Sequence, residues 1–301
     1  MAVAAGYLVL GVGHVMDDWF ALHRAEFFGA WSAAGDEQWA ARPGAGLAYA
    51  LVFGALDGGV VPVTVGLGLI RGASAVLLRR VLEPVVGSPL ATSTAVLWVL
   101  LPTTTSLEAW ASAANISLAL LLAVGAIHLA VRGAGRRSWI VVTVLAAAAV
   151  LSYEAVVVLV VPAGASLLLW KLARPGAAAG LVVGGAVGFG WVLEHWHPQK
   201  DVAPTWSDPF LVIPSNLGWG AVPRPLGSLL IALTLGVTLA VLAASRFGWQ
   251  ELTAARRPLL VGWALLFLGV MPFLRYTYAP LGAGDRANVV SSLGGSLLLA
   301  G

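Results

Sequence analysis

The sequence predicts an all-α fold: a polytopic transmembrane helical bundle of about ten spans with interfacial helices in the first outer loop. Three observations predict it. Of 301 residues, 59% are hydrophobic and 10% are charged, whereas an ordinary soluble domain is about 25% charged; mean hydropathy is +0.89. The apolar runs approach the roughly 20 residues that cross a bilayer. The loops between them alternate in charge sign.

The expected spans are 2–16, 59–78, 89–105, 113–131, 138–152, 155–170, 176–193, 226–244, 258–274 and 288–301. The first has no basic n-region and no clear small-residue cleavage site, so it reads as a shortened helix rather than a signal peptide. Leu47–Leu56 is expected to lie at the interface or lead into the second span. Pro62, Pro102, Pro162 and Pro272 fall inside or at the ends of spans, which membrane helices tolerate when neighbours re-satisfy the freed carbonyls. Gly180, Gly184 and Gly188 recur every four residues, a seam that lets another helix come close. Val289–Gly301 stops short of a comfortable crossing. The chain therefore reads as one transmembrane domain, 1–301, with a fragment or a misassigned end as the explanations of its C-terminus.

One set of loops holds Arg79, Arg80, Arg132, Arg136, Arg137, Lys171, Arg174, Arg246, Arg256 and Arg257. It alternates with loops holding Asp17, Asp18, Glu26, Asp36, Glu37, Glu108, Glu154, Glu194, Asp201, Asp208 and Asp285. The positive-inside rule makes the basic set cytoplasmic, places the N-terminus inside and puts the acids outside. Two outer loops are long, 17–46 and 194–225. The inner loops are too short for a nucleotide-binding fold, and no phosphate-binding glycine motif is present, so chemistry is expected at the outer face. With no cysteine in the chain, disulfides and thiolate metal sites are excluded.

Asp17 and Asp18 follow the first span directly. Two readings fit them: a solvated helix cap, or a general base whose proton affinity a neighbouring carboxylate raises. Trp19, Phe20, Leu22, Phe27, Phe28 and Trp31 alternate with His23, Arg24 and Glu26. That pattern fits an amphipathic helix in the interface plane or an ordinary aromatic belt. Glu108 and Glu154, at outer span ends, either line a cavity or cap helices and pair with an outer arginine. His195 and His197 flank Trp196 beside Glu194; without a third ligand they do not make a metal site. His128 reads as packing or snorkelling.

Taken in order, five stretches resemble the GT-C superfamily of membrane glycosyltransferases. They are Asp17-Asp18; Arg42-Pro43-Gly44 leading into an apolar helix; Leu101-Pro102 through Glu108-Ala109-Trp110; Ser152-Tyr153-Glu154-Ala155; and Asp285-Arg286 before Ser291-Ser292-Leu293-Gly294. The chain departs from the family pattern at Leu101, Tyr153 and Ala287, where a histidine, a lysine and an aromatic are frequent. The resemblance implies inverting transfer of a sugar from a polyprenyl-phosphate donor to an extracytoplasmic glycan, lipid or protein. Asp17 or Asp18 would serve as base, and Arg286, Arg275, Arg224 or His197 would hold the donor phosphate. Arg42, Glu108, Glu154 and Asp285 would line the cavity. The expected setting is a bacterial cytoplasmic membrane; no divalent metal and no nucleic-acid partner are expected, and no cofactor is assigned beyond the lipid-linked sugar donor. The competing readings are a transporter or lipid flippase, and a non-catalytic GT-C relative acting as a scaffold.

Overall fold

In the computed structural model, helix accounts for 91% of the described residues and none lies in a strand, as an all-α reading requires. The described residues are 23, 25–29, 31, 40–56, 58–100, 111–133, 137–195, 214, 216–217, 224–245, 250–271 and 290–301. Among them, four helices are long and apolar enough to cross a membrane: Val60–Val86, Ala114–Arg132, Pro175–His195 and Pro225–Ala244. Shorter apolar helices accompany them. The expected first span, 2–16, lies outside the described residues; each of the other nine stretches carries a helix.

The helices are α1 Pro43–Ala50, α2 Val60–Val86, α3 Ser88–Leu100, α4 Ala114–Arg132, α5 Ser138–Ser152, α6 Val157–Leu169, α7 Pro175–His195, α8 Arg224–Ser245, α9 Gln250–Val270 and α10 Ser291–Ala300. α1 starts four residues before the expected Leu47 because Pro43 occupies its first turn, where proline's fixed φ suits a helix and its missing N–H costs nothing. It runs on as a π-helical turn, Leu51–Ala55. α9 begins at Gln250 and carries Pro258 inside it.

The chain divides into two compact units, one of residues 1–77 and 106–199, the other of 78–105 and 200–301. In the first, α7 packs along α5 and α6. A Cβ on Gly180 would lie 2.9 Å from the Trp139 carbonyl oxygen, one on Gly184 would collide with the Thr143 carbonyl, and one on Gly188 would lie 3.0 Å from the Ala147 oxygen. The predicted glycine seam is therefore a helix contact, and its partner is α5. α4 ends at Gly133, left-handed at φ 63, whose N–H bonds to the Leu129 carbonyl at 3.1 Å. α6 ends differently. Leu172 N–H reaches the Leu167 carbonyl at 3.1 Å and Lys171 N–H the Leu168 carbonyl at 3.3 Å. This is the paired closure of a Schellman motif. Lys171 takes the left-handed position, at φ 54, which normally belongs to glycine and costs another residue about 1 kcal/mol.

In the second unit, α10 is buried from Ser291 through Leu298. Gly262 and Gly294 let α9 and α10 touch backbone to backbone, and Ser291 Oγ donates to the Leu266 carbonyl at 3.2 Å. On the opposite flank, Trp98 of α3 donates its indole N–H to Ser292 Oγ at 3.0 Å. Leu217, Val241, Leu259, Leu266 and Leu298 close the core.

Candidate functional site

At one end of the first unit, three chain reversals meet. Arg42 precedes α1, and its carbonyl accepts the N–H groups of Ala45 at 2.9 Å and Gly46 at 3.2 Å, which starts the helix. α5 stops at Tyr153, which is extended at φ −157, and the 3₁₀ turn Glu154–Val156 opens α6. A carboxylate there faces the positive end of the following helix. Asn115, in the first turn of α4, donates its side-chain amide to the Ser152 carbonyl at 3.0 Å, satisfying an acceptor at the end of α5 that the helix leaves open.

Gly44 sits on Ser152. A Cβ built there would collide with Ser152 Oγ and lie 3.0 Å from its Cα and N. That contact brings Arg42 over the turn, and its Nη2 donates to Glu154 Oε1 at 2.5 Å. The side chains are 26% and 19% exposed, so water screens the pair only in part. Glu154 Oε2 is buried and accepts no hydrogen bond, which makes the turn an under-satisfied acceptor. The segment before Arg42 is fixed as well, since Trp191 of α7 donates to the Ala40 carbonyl at 3.0 Å. His195 stacks on the Trp191 ring with centroids 4.0 Å apart and donates from Nδ1 to the Trp191 carbonyl at 3.0 Å.

A small apolar core underlies this end: Val52, Phe53, Val63, Leu67, Ala111 and Ala114, with Ala25 and Tyr49 against it. Within the helical segment 25–28, Ala25 thus faces inward while Phe27 and Phe28 are exposed. Glu26 is exposed beside them.

The structure brings Arg42 and Glu154 together, and for Glu154 the arginine-paired reading is the one observed. Arg224 is the first residue of α8. Asp17, Asp18, Glu108, His197, Arg275, Asp285 and Arg286 lie outside the described residues. His128 is 7% exposed, so it packs inside.

Sequence reasoning missed Arg71. It is 3% exposed and lies on the inward stripe of α2 with Thr64, Leu67 and Ser74, all buried. It stands about 16 Å along the helix from Val60 and about 12 Å from Arg79, near the middle of a span. A guanidinium keeps its charge there, which makes Arg71 a candidate functional residue. The signal was present: Arg71 interrupts the apolar run 59–78.

No protein-family model matches this chain, and no curated protein or solved structure matches it either.

Proposed function

We propose that this chain is an integral membrane glycosyltransferase of GT-C type, acting in a bacterial cytoplasmic membrane with its N-terminus inside. It transfers a sugar from a polyprenyl-phosphate donor to an acceptor hydroxyl at the outer face. The acceptor oxygen bonds to the anomeric carbon from the side opposite the lipid phosphate. The bond from that carbon to the phosphate oxygen breaks, and the polyprenyl phosphate leaves with the electron pair. Asp17 or Asp18 takes the hydroxyl proton, the anomeric centre inverts, and an arginine, Arg286 first, stabilises the departing phosphate through paired N–H donors.

The ion pair between Arg42 and Glu154 supports this reading most. Two stretches that carry the family resemblance, 112 residues apart, meet at one end of one unit. Through that pair the end of loop 17–46, which bears the base in this mechanism, is tied to the helical turn at 153–156.

The test is transfer of label from radiolabelled polyprenyl-phosphate sugars in proteoliposomes. Wild type transfers label, and Asp17→Asn binds donor but does not turn over. Failure of every donor to yield labelled acceptor, or undiminished rates in both Asp17→Asn and Asp18→Asn, overturns the proposal.

Arg71 favours a second reading, a transporter or lipid flippase, because buried charge at mid-span marks substrate pathways. On that reading Arg71→Met abolishes movement of a labelled lipid between leaflets, and no glycosidic product forms.

A further inference from the structure

We propose that the first unit, at the end remote from Glu154, binds the phosphate of an anionic phospholipid headgroup between Arg132, Arg137, Lys171 and Arg174. Neither the proposed transferase reaction nor its donor enters this inference.

The four cations come from four places in the chain and collect at one end. Arg132 is in the last turn of α4, Arg137 is the residue before α5, Lys171 closes α6, and Arg174 directly precedes α7. Helix contacts gather them. A Cβ on Gly133, next to Arg132, would lie 3.6 Å from Arg174 Nε. One on Gly176 would lie 3.8 Å from the Cβ of Trp139, two residues beyond Arg137. All four side chains are exposed. Among the described residues, none of the four makes an ion pair or a side-chain hydrogen bond. The described acids of this unit, Glu26, Glu154 and Glu194, stand at the other helix ends.

The contrast with other basic residues is informative. Arg42 pairs with Glu154, and Arg79 bonds Thr92, Ser88 and Glu83. Here positive charge is concentrated and left for an external anion. One feature selects a lipid over a soluble phosphate. The cations are rimmed by exposed Trp139, Ile140, Leu169, Trp170 and Leu172, the amphipathic and apolar surface that acyl chains and the headgroup boundary favour. Lys171 stands in a left-handed backbone position that glycine would occupy without strain, so its charge can be removed there without a backbone cost. Clustered Arg and Lys at a membrane surface attract anionic lipid by about fivefold in affinity per residue.

The experiment compares the full chain in vesicles of phosphatidylcholine with the same chain in equimolar phosphatidylcholine and phosphatidylglycerol. Thermal midpoint and co-purifying lipid are the readouts. Wild type gains midpoint with phosphatidylglycerol and retains that lipid through detergent washing. Lys171→Gln weakens retention about fivefold. Lys171→Gly, which removes the charge and relieves the backbone, raises the midpoint in phosphatidylcholine yet loses lipid retention to the same degree. The triple variant Arg132→Gln, Lys171→Gln, Arg174→Gln shows no phosphatidylglycerol response. Equal retention by wild type and both Lys171 variants overturns the proposal, even if the triple variant does not fold. So does equal protection by inorganic phosphate without anionic lipid.

Discussion

Arg42 Nη2 donates to Glu154 Oε1 at 2.5 Å, and the two residues lie on different helix ends brought together by the close seat of Gly44 on Ser152. Removing one member leaves the other with a partly buried charge. Arg42→Met should therefore lower stability by about 2 kcal/mol, less than the value for a fully buried pair because the groups are partly screened. Arg42→Met with Glu154→Leu should recover most of that loss. Thermal unfolding of the four proteins in one detergent gives the coupling directly.

Gly184 and Gly190, six residues apart on α7, should respond in opposite directions to alanine. A Cβ at Gly184 runs into the Thr143 carbonyl and sits 2.9 Å from the Ala146 Cβ. Backbone cannot yield cheaply, so Gly184→Ala should destabilise by about 1–3 kcal/mol. A Cβ at Gly190 meets nothing within 4 Å, and Gly190→Ala should stabilise the helix by up to about 1 kcal/mol. A chemical-denaturation midpoint that moves the same way for both would contradict this account of the seam.

Trp98 and Ser292 are both buried, and the indole N–H to Oγ bond is 3.0 Å. Trp98→Phe removes the donor and leaves Ser292 Oγ one hydrogen bond short, with an expected loss of about 1 kcal/mol beyond the change in packing. Ser292→Ala removes the acceptor of that indole N–H instead. Once both partners are gone, the combined variant should be less destabilised than the sum of the single ones.

For the reaction, Asp17→Asn should lower turnover by about 10²–10⁴-fold with donor binding retained. Asp18→Asn should show the smaller effect if Asp17 is the base. Single-turnover measurements on matched amounts of inserted protein separate chemistry from binding.

The helices were legible because each announces itself locally. α4, for instance, is an apolar run closed by Arg132 and Gly133. The seam at Gly180, Gly184 and Gly188 was legible for the same reason, since a four-residue repeat of glycine needs no partner to be noticed, though its partner α5 was not. α1 begins ahead of the apolar stretch from Leu47 because Pro43 opens the helix, a start that hydropathy does not mark. The bond between Arg42 and Glu154 could be read only as one of two alternatives. Its partners are 112 residues apart, and nothing local encodes which arginine an acid will meet. Arg71 was different, for a cation inside an apolar run is a local signal. The positive-inside rule reads only loop charges and says nothing of it.

α10 has one more consequence. Its Ser291, Ser292 and Ser296 and its paired glycines face protein on every side, so no strip of it is adapted to fatty-acid tails. A ribosome-bound insertion machine that tested this segment alone would find little reason to release it sideways. Its place in the bilayer therefore depends on α3 and α9, made before it, and a chain in which Gly262→Leu bars the α9 contact is expected to lose protease protection of the Ser291–Ala300 stretch.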